Sequence, residues 1–600
     1  MSVFAYMPYG AGGIIIRVET DIRRGIPGVD ISGLAEGAVR EARDRIRVAV
    51  RNSGFNFPAD RILINLAPAG LKKDGAALDL PIALSVMAAS GIVQISGNLL
   101  VMGELELSGR IRPVRGVFAA IAAGLAEGIT EYIVPAENAG EAAILTEDNA
   151  QLKQRARFTA AHTLQGAVHA LFIRSEKGEL PASINERAGN SACINHITKN
   201  TIETRGEGSG NIAFNDSVML KQCTAEAVCA QQYAGDFSDV RGQVIYKRAL
   251  EIAAAGGHNI MVFGPPGSGK TMLARRLPSI MAPLSPDEAI EVTRLHSLAG
   301  PHRGNGSFIE KLITRPPYRS PHHSASAEGI LGGGRIPRPG EISLAHYGVL
   351  FLDEAPEYRI NVLQALREPL EDKIISIVRA DGPLQLPADF QLLMTANSCR
   401  CGRLGVRDNG SSNDILNGGA CLCSPEEINR YWRKIGGALL DRVEIRVAVL
   451  PSKIEELGAA AGTAKAVSEK PAAAHHTQFS ANGASDTGAA DISESAEIAC
   501  RVNAAVEIQR CRYKDTGIRR NAMLPAGMAA AMCPMNERAE NAFHTAIAKL
   551  SFSGRAYHGI LRVARTIADL DGKDIIETEH ILEAVHHRRY GDDPWDILYV

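Results

Sequence analysis

Apolar and polar positions along the first third of the chain repeat at two periods. The run ILINLAP (62–68) predicts a buried strand, and LDLPIALSVMAAS (78–90) has the spacing of a helix. GELELSGRIRPV (103–114) alternates about Ser108-Gly109 as a hairpin does, and EYIVP (131–135) predicts another short strand. Residues 1–172 therefore predict one α/β unit. Periodicity is lost over 173–235, where ERAGNSACINHITKN and TRGEGSGN predict a polar linker. Strand and helix patterns alternate again over 236–457. Residues 458–492 are rich in Ala, Gly and Ser with little apolar bulk, the composition of a flexible insertion. From 493 to 600 the pattern is helical, as in SAEIACRVNAAVEIQRCR and RAYHGILRVARTIADL. No repeat of fixed period is present.

Composition narrows this picture by exclusion. A length of 600 residues suits several domains. The net charge of −2 rules out a polycation, so any nucleic-acid contact has to come from a local patch or channel. The start, MSVFAYMPYG, lacks the basic and apolar regions of a signal peptide. The most apolar helical windows are broken by Asp79 or Glu127, so no membrane span is expected. Ten Cys are too few for a disulfide scaffold, and the chain reads as reduced and cytoplasmic.

The candidate chemistry starts at 259–277, NIMVFGPPGSGKTMLARRL. The apolar run IMVF ends at Gly264, and Gly264, Pro265, Pro266, Gly267, Ser268, Gly269, Lys270 and Thr271 fit G-x-x-x-x-G-K-[ST] in full. In such a P-loop, glycines let backbone N–H groups turn toward phosphate oxygens. Lys270 would reach the β and γ phosphates, and Thr271 would offer its hydroxyl to Mg²⁺. In YGVLFLDEAPE (347–357), Val349 to Leu352 predict a central parallel strand. Asp353 stands at its C-terminal end, where open α/β sheets bind ligands. Asp353 is thus a candidate for the Mg²⁺ shell and Glu354 for polarising the attacking water. FQLLMTAN (390–397) predicts a third strand ending at Asn397, a candidate to contact the γ-phosphate or orient the water. Arg442, in IGGALLDRVEIRV, could supply charge to the transition state on a neighbouring subunit's nucleotide, or be a surface arginine beside Asp441.

These residues together resemble the magnesium-chelatase-like AAA+ ATPases of the YifB or ComM type. The likeness spans nearly the whole chain. It is most specific in DFSDVRGQVIYKRALEIAAAGGHNIMVFGPPGSGKTMLARRLPSIM (236–281) and YRSPHHSASAEGILGGGRIPRPGEISLAHYGVLFLDE (318–354). It implies ATP and Mg²⁺ as cofactors and a ring, expected to be a hexamer. It matches Asn397 to sensor 1, Arg442 to the arginine finger and Arg555 to the sensor 2 arginine of a helical lid at 493–600. The expected fold is α/β: an N-terminal Lon-protease-like domain, a P-loop AAA+ parallel-sheet core and a C-terminal helical lid. Lon-type domains use a Ser nucleophile with a Lys. In KKDGAALDLPIAL, Ala77 stands where the Ser would be, and Phe118 falls at the Lys position. A methyl and a phenyl can neither attack a carbonyl nor accept a proton, so a protease fold without protease chemistry is expected. Ser85 and Ser108 read as structural or exposed serines.

Cys399 and Cys401, then Cys421 and Cys423, directly follow the sensor 1 strand across a polar loop. Two C-x-C pairs could close a tetrahedral thiolate site for structural Zn²⁺. Reduced thiols or a disulfide are the alternatives. The family pattern also shows paired Cys here. The stretch from Tyr318 to Arg338, with Arg319, His322, His323 and Arg335, suits phosphates and base stacking, or is a solvated loop. The resemblance implies a DNA motor performing helicase or branch-migration work in transformation or recombination. A chelatase-like remodeller of a protein partner is the second reading.

Overall fold

The computed structural model describes residues 2–33, 37–70, 73, 75–95, 97–147, 156–174, 235–300, 308–334, 337–377, 384–405, 421–450, 493–550, 552–591 and 594–599. Residues 175–234 of the expected linker (173–235) and the expected insertion over 458–492 lie outside the described residues.

The N-terminal part carries a mixed seven-stranded sheet. Its centre is Ser2–Met7, antiparallel to Ile14–Arg23 and parallel to Asn98–Val101. Glu131–Pro135 and Arg157–Ala161 extend one edge. Arg61–Ala67 and Gly28–Ser32 extend the other. The helix Asp79–Ala89 is buried through most of its length. The expected hairpin forms, with Glu104–Leu105 antiparallel to Ile111–Arg112 about a turn in which Gly109 takes φ +85°. The strand Arg61–Ala67 departs from expectation in its burial. Ile62, Ile64 and Leu66 are buried but Leu63 is 43% exposed, because this part of the mixed sheet turns one face to solvent.

The second part is a five-stranded, wholly parallel sheet. Its order is Tyr318–Arg319, Val349–Leu352, Gln391–Asn397, Ile260–Gly264, Ile445–Ala448. Numbered along the chain this is 2-3-4-1-5, so the first strand lies between the fourth and fifth. Helices cover both faces, which is why Ile260–Gly264 and Val349–Leu352 are buried at every residue and read as apolar runs. The C-terminal part is helical: Glu494–Arg512, Ala526–Met532, Glu537–Leu550, Gly554–Leu570 and Thr578–Arg589. It shares one hydrophobic core with the helix Val244–Gly256 and the sheet. His258 and Thr566 hydrogen-bond across this seam at 2.7 Å, and Lys247 pairs with Glu494 at 2.7 Å.

The N-terminal part seats on the second through the helices Val117–Ala126 and Pro286–Ala299. The Gly116 N–H donates to the Ser297 carbonyl at 3.0 Å, and the Ser297 hydroxyl donates to Glu141 at 2.5 Å. Phe118 is fully buried with Ile144 and with Ile309 of the second part. Among the described residues, no helix is long and apolar enough to cross a membrane.

Candidate nucleotide site and cysteine cluster

The P-loop follows Ile260–Gly264, the sheet's second-to-last strand in space, and turns into the helix Lys270–Ala274. The turn needs backbone that only glycine adopts cheaply, and Gly267 and Gly269 take φ +76° and +84°. Lys270 is almost fully buried, and its Nζ donates to the Gly264 carbonyl at 2.9 Å and the Pro265 carbonyl at 2.7 Å. Burial pushes its pKa down to about 8, against the opposing pull of Asp353 and Glu354.

Asp353 and Glu354 emerge at the C-terminal end of Val349–Leu352, which Gln391–Asn397 separates from the P-loop strand. The Thr271 hydroxyl donates to the Asp353 carboxylate at 3.0 Å. The sequence-predicted pair Thr271 and Asp353 is therefore in contact, as a shared Mg²⁺ shell requires. Glu354 has φ +51°, uncommon outside glycine and costly enough to need outside support. That support includes Thr395, which sequence reasoning missed. Its hydroxyl donates to Asp353 at 2.6 Å and accepts the Glu354 backbone N–H at 2.9 Å. Asn397 ends the same strand and pairs in register with Gly264. Gln243, also missed, donates from its side-chain amide to the carbonyl of Leu450 at 2.8 Å and that of Ser268 at 3.4 Å. No local pattern marks either residue, since both act through partners far along the chain.

The two candidate arginines are placed elsewhere. Arg442 precedes Ile445–Ala448, whose first residue pairs with Ile260. It thus lies at the edge of the sheet where strands begin. The P-loop lies where they end, about 13 Å away along a five-residue strand. Its guanidinium pairs with Glu371 at 2.9 Å and donates to the Ala438 carbonyl. Arg555, in the first turn of Gly554–Leu570, pairs with the same Glu371. Among the described residues, neither arginine hydrogen-bonds to the P-loop or to Asp353 and Glu354.

The four candidate cysteines converge. Their sulfurs all lie within 4.8 Å of one another. Cys399 and Cys401 are 3.2 Å apart, and each is 3.6 Å from Cys421. A tetrahedron of thiolates 2.3 Å from Zn²⁺ has edges of about 3.8 Å, so these side chains fit that ion with small shifts. Burial and the adjacent thiols push Cys421 up to about 12. The cluster touches the nucleotide loop: a Cβ on Gly402 (φ +77°) would lie 2.6 Å from Pro266. Trp432, edge-on to Phe263, donates its indole N–H to the Ser398 carbonyl at 2.9 Å.

The basic stretch is divided. Tyr318 and Arg319 form a sheet strand rather than an open loop. Tyr318 stacks on Phe351 at 5.8 Å and Arg319 pairs with Glu341 at 2.7 Å, so both are engaged internally. His322 and His323 are exposed, their rings tilted with centroids 4.1 Å apart, and Arg338 is exposed. Arg335 lies outside the described residues. In the N-terminal part, Ala77 sits in a 3-10 turn. The buried Ser85 hydroxyl hydrogen-bonds with Thr20 at 2.8 Å, and Ser108 lies in the hairpin turn beside Glu106.

Comparison with known families and proteins agrees with this architecture. The profile described as "Magnesium chelatase, subunit ChlI" matches residues 236–457, "Subunit ChlI of Mg-chelatase" 18–138, and "Magnesium chelatase, subunit ChlI C-terminal" 493–588. Competence protein ComM of Haemophilus influenzae is 34% identical over 590 residues, covering 98% of this chain and 97% of that protein. The uncharacterized protein YifB of Salmonella typhimurium is 35% identical over 577 residues, covering 96% and 94%. A Lon protease of Desulfovibrio desulfuricans is 25% identical over 135 residues, 21% of this chain and 15% of that protein.

Proposed function

Since the chain belongs to the magnesium-chelatase-like AAA+ family that includes YifB and Competence protein ComM, we propose that it is an ATP-hydrolysing motor that works as a ring on DNA. The observation that carries the ATPase reading is the contact of Thr271 with Asp353, with Thr395 bracing Asp353 and Glu354 together. The P-loop N–H groups and Lys270 bind the phosphates. Thr271 and Asp353 hold Mg²⁺, which when bound neutralises charge developing on the phosphates. Glu354 orients and polarises the attacking water, and Asn397 lies beside Gly264, in reach of the γ-phosphate. Arg442 and Arg555, at the far edge of the sheet, act together on the nucleotide of the adjoining subunit. That geometry supports a ring, since a lone subunit cannot bring them to its own P-loop.

We divide the chain into a Lon-protease-like domain (1–172), a linker (173–235), the ATPase core (236–457), an insertion (458–492) and the lid (493–600). The Lon-like domain is inactive as a protease in this reading. Ala77 offers no nucleophile, and Phe118, where the Lys would stand, is spent on the seat against the core. Structural Zn²⁺ held by Cys399, Cys401, Cys421 and Cys423 fixes the loop between Asn397 and Arg442. DNA as the substrate draws on the likeness to a competence protein, with His322, His323 and Arg338 as exposed groups suited to phosphates.

The test is steady-state ATP hydrolysis with and without single-stranded and forked DNA, beside Glu354→Gln. Stimulation by DNA that vanishes in the variant is expected. Hydrolysis indifferent to every DNA would remove the DNA motor and favour remodelling of a protein partner.

A further inference from the structure

Both candidate phosphate-sensing arginines of one chain converge on a single carboxylate that the family motifs do not include. Glu371 lies on the short helix Arg367–Asp372, and its two oxygens are divided between them. Oε2 takes Arg442 at 2.9 Å, and Oε1 takes Arg555. The lid is tied at the same seam by Asp441, the residue before Arg442, which accepts from Ser553 at 3.0 Å and pairs with Arg588 at 3.3 Å. Glu371 is therefore the link through which the core's arginine and the lid's arginine are held in one orientation.

The pairing is built to be exchanged. The Glu371 side chain is 42% exposed and that of Arg555 50%, so water and incoming anions reach the shared carboxylate. The exposed Arg555–Glu371 pair holds weakly, whereas the Arg442 side chain is only 11% exposed. The buried Nε of Arg442 has no hydrogen-bond partner, so its donor fork is incompletely used. Beside it opens a cavity of about 670 Å³ lined by Gln364, Arg367, Glu368, Glu371, Ile375 and Arg442, room for a ligand the size of a nucleotide. A γ-phosphate carries more charge than a carboxylate and accepts two guanidinium forks at once.

Resting on the ring ATPase reading, we infer that Glu371 is a latch. In a free subunit it holds Arg442 and Arg555 together, and it surrenders both to the triphosphate bound in the adjoining subunit. Glu371 is a positioning residue, and its effect is to set how much ATP is needed before subunits engage. Removing its charge frees the arginines without touching any phosphate ligand.

Mass photometry of the full chain across a titration of a non-hydrolysable ATP analogue with Mg²⁺ tests this. Glu371→Gln is expected to assemble at a several-fold lower analogue concentration than wild type. Glu371→Asp, which keeps the charge, is expected to return the midpoint toward wild type, an effect that general loosening of the helix would not give. Arg442→Ala combined with Glu371→Gln is expected to erase the shift. Wild-type assembly with an unshifted or raised midpoint in Glu371→Gln overturns the latch and leaves the ring intact. Wild-type rings that form without the analogue overturn the latch alone, and a wild type that stays monomeric at every analogue concentration overturns both.

Discussion

At Lys270 burial and charge oppose each other on a single amine. The P-loop carbonyls and the closed loop desolvate it, and its pKa falls to about 8 although Asp353 and Glu354 favour the ammonium. Between about 8 and 10.5 the unfolded chain holds the proton and the folded chain does not, so this group makes stability rise with pH in that window. Nucleotide binding has the opposite sign. A triphosphate restores the ammonium, so binding near pH 8–9 should take up a proton and weaken as pH rises through about 8. Calorimetry in buffers of different ionisation enthalpy reads the uptake, and Lys270→Arg should lack it. At Thr395 one buried hydroxyl serves two neighbours, Asp353 and the strained Glu354. Thr395→Val keeps the shape but leaves the Glu354 N–H unpaired, at a cost of about 1–3 kcal/mol. Chemical denaturation should show that loss, and turnover should fall while ATP affinity changes little. Such residues were not legible in the sequence, because Thr395 looks like any strand threonine until Asp353, 42 residues away, is folded against it.

At the scale of elements, legibility followed burial. The parallel strands Ile260–Gly264, Val349–Leu352 and Gln391–Asn397 are covered on both faces and announce themselves as apolar runs, the last two leading into the candidate site residues Asp353 and Asn397. ILINLAP misled in the other direction: the run is apolar but for Asn65, yet Leu63 faces solvent, since letters alone do not say which face of a sheet is left open. Tyr318 and Arg319 suited a substrate loop by composition but form a two-residue strand, too short to show a period. The paired cysteines were legible as a pair of C-x-C steps, and folding brings them within one ion's reach. If Zn²⁺ occupies them, elemental analysis should find one zinc per chain, and Cys399→Ser should remove it and lower the melting temperature. Because the cysteine turn leans on Pro266, ATP affinity should fall with the metal. A zinc-free wild type with full ATP affinity would remove the metal from the account.

Across the whole molecule, the three parts are joined by seams that sequence could not show. The N-terminal part is fastened to the helix Pro286–Ala299 through Ser297 and Glu141, whose carboxyl is driven up by burial. Phe118 closes that seam against Ile309. The C-terminal helices are fastened through His258, Lys247 and the Asp441 cluster. Among the described residues, Arg442 does not reach its own P-loop: it lies across the sheet, about 13 Å away by strand rise. The central claim is that each nucleotide site is completed by the neighbour. Mixing two inactive variants tests it most directly, with ATP hydrolysis as the readout. Lys270→Ala subunits keep a sound Arg442, and Arg442→Ala subunits keep a sound P-loop. Each alone should be nearly inactive, and the mixture should regain hydrolysis at interfaces where a sound P-loop meets a sound arginine. A mixture no more active than its parts, or an Arg442→Ala protein that hydrolyses ATP as wild type does, would contradict the account.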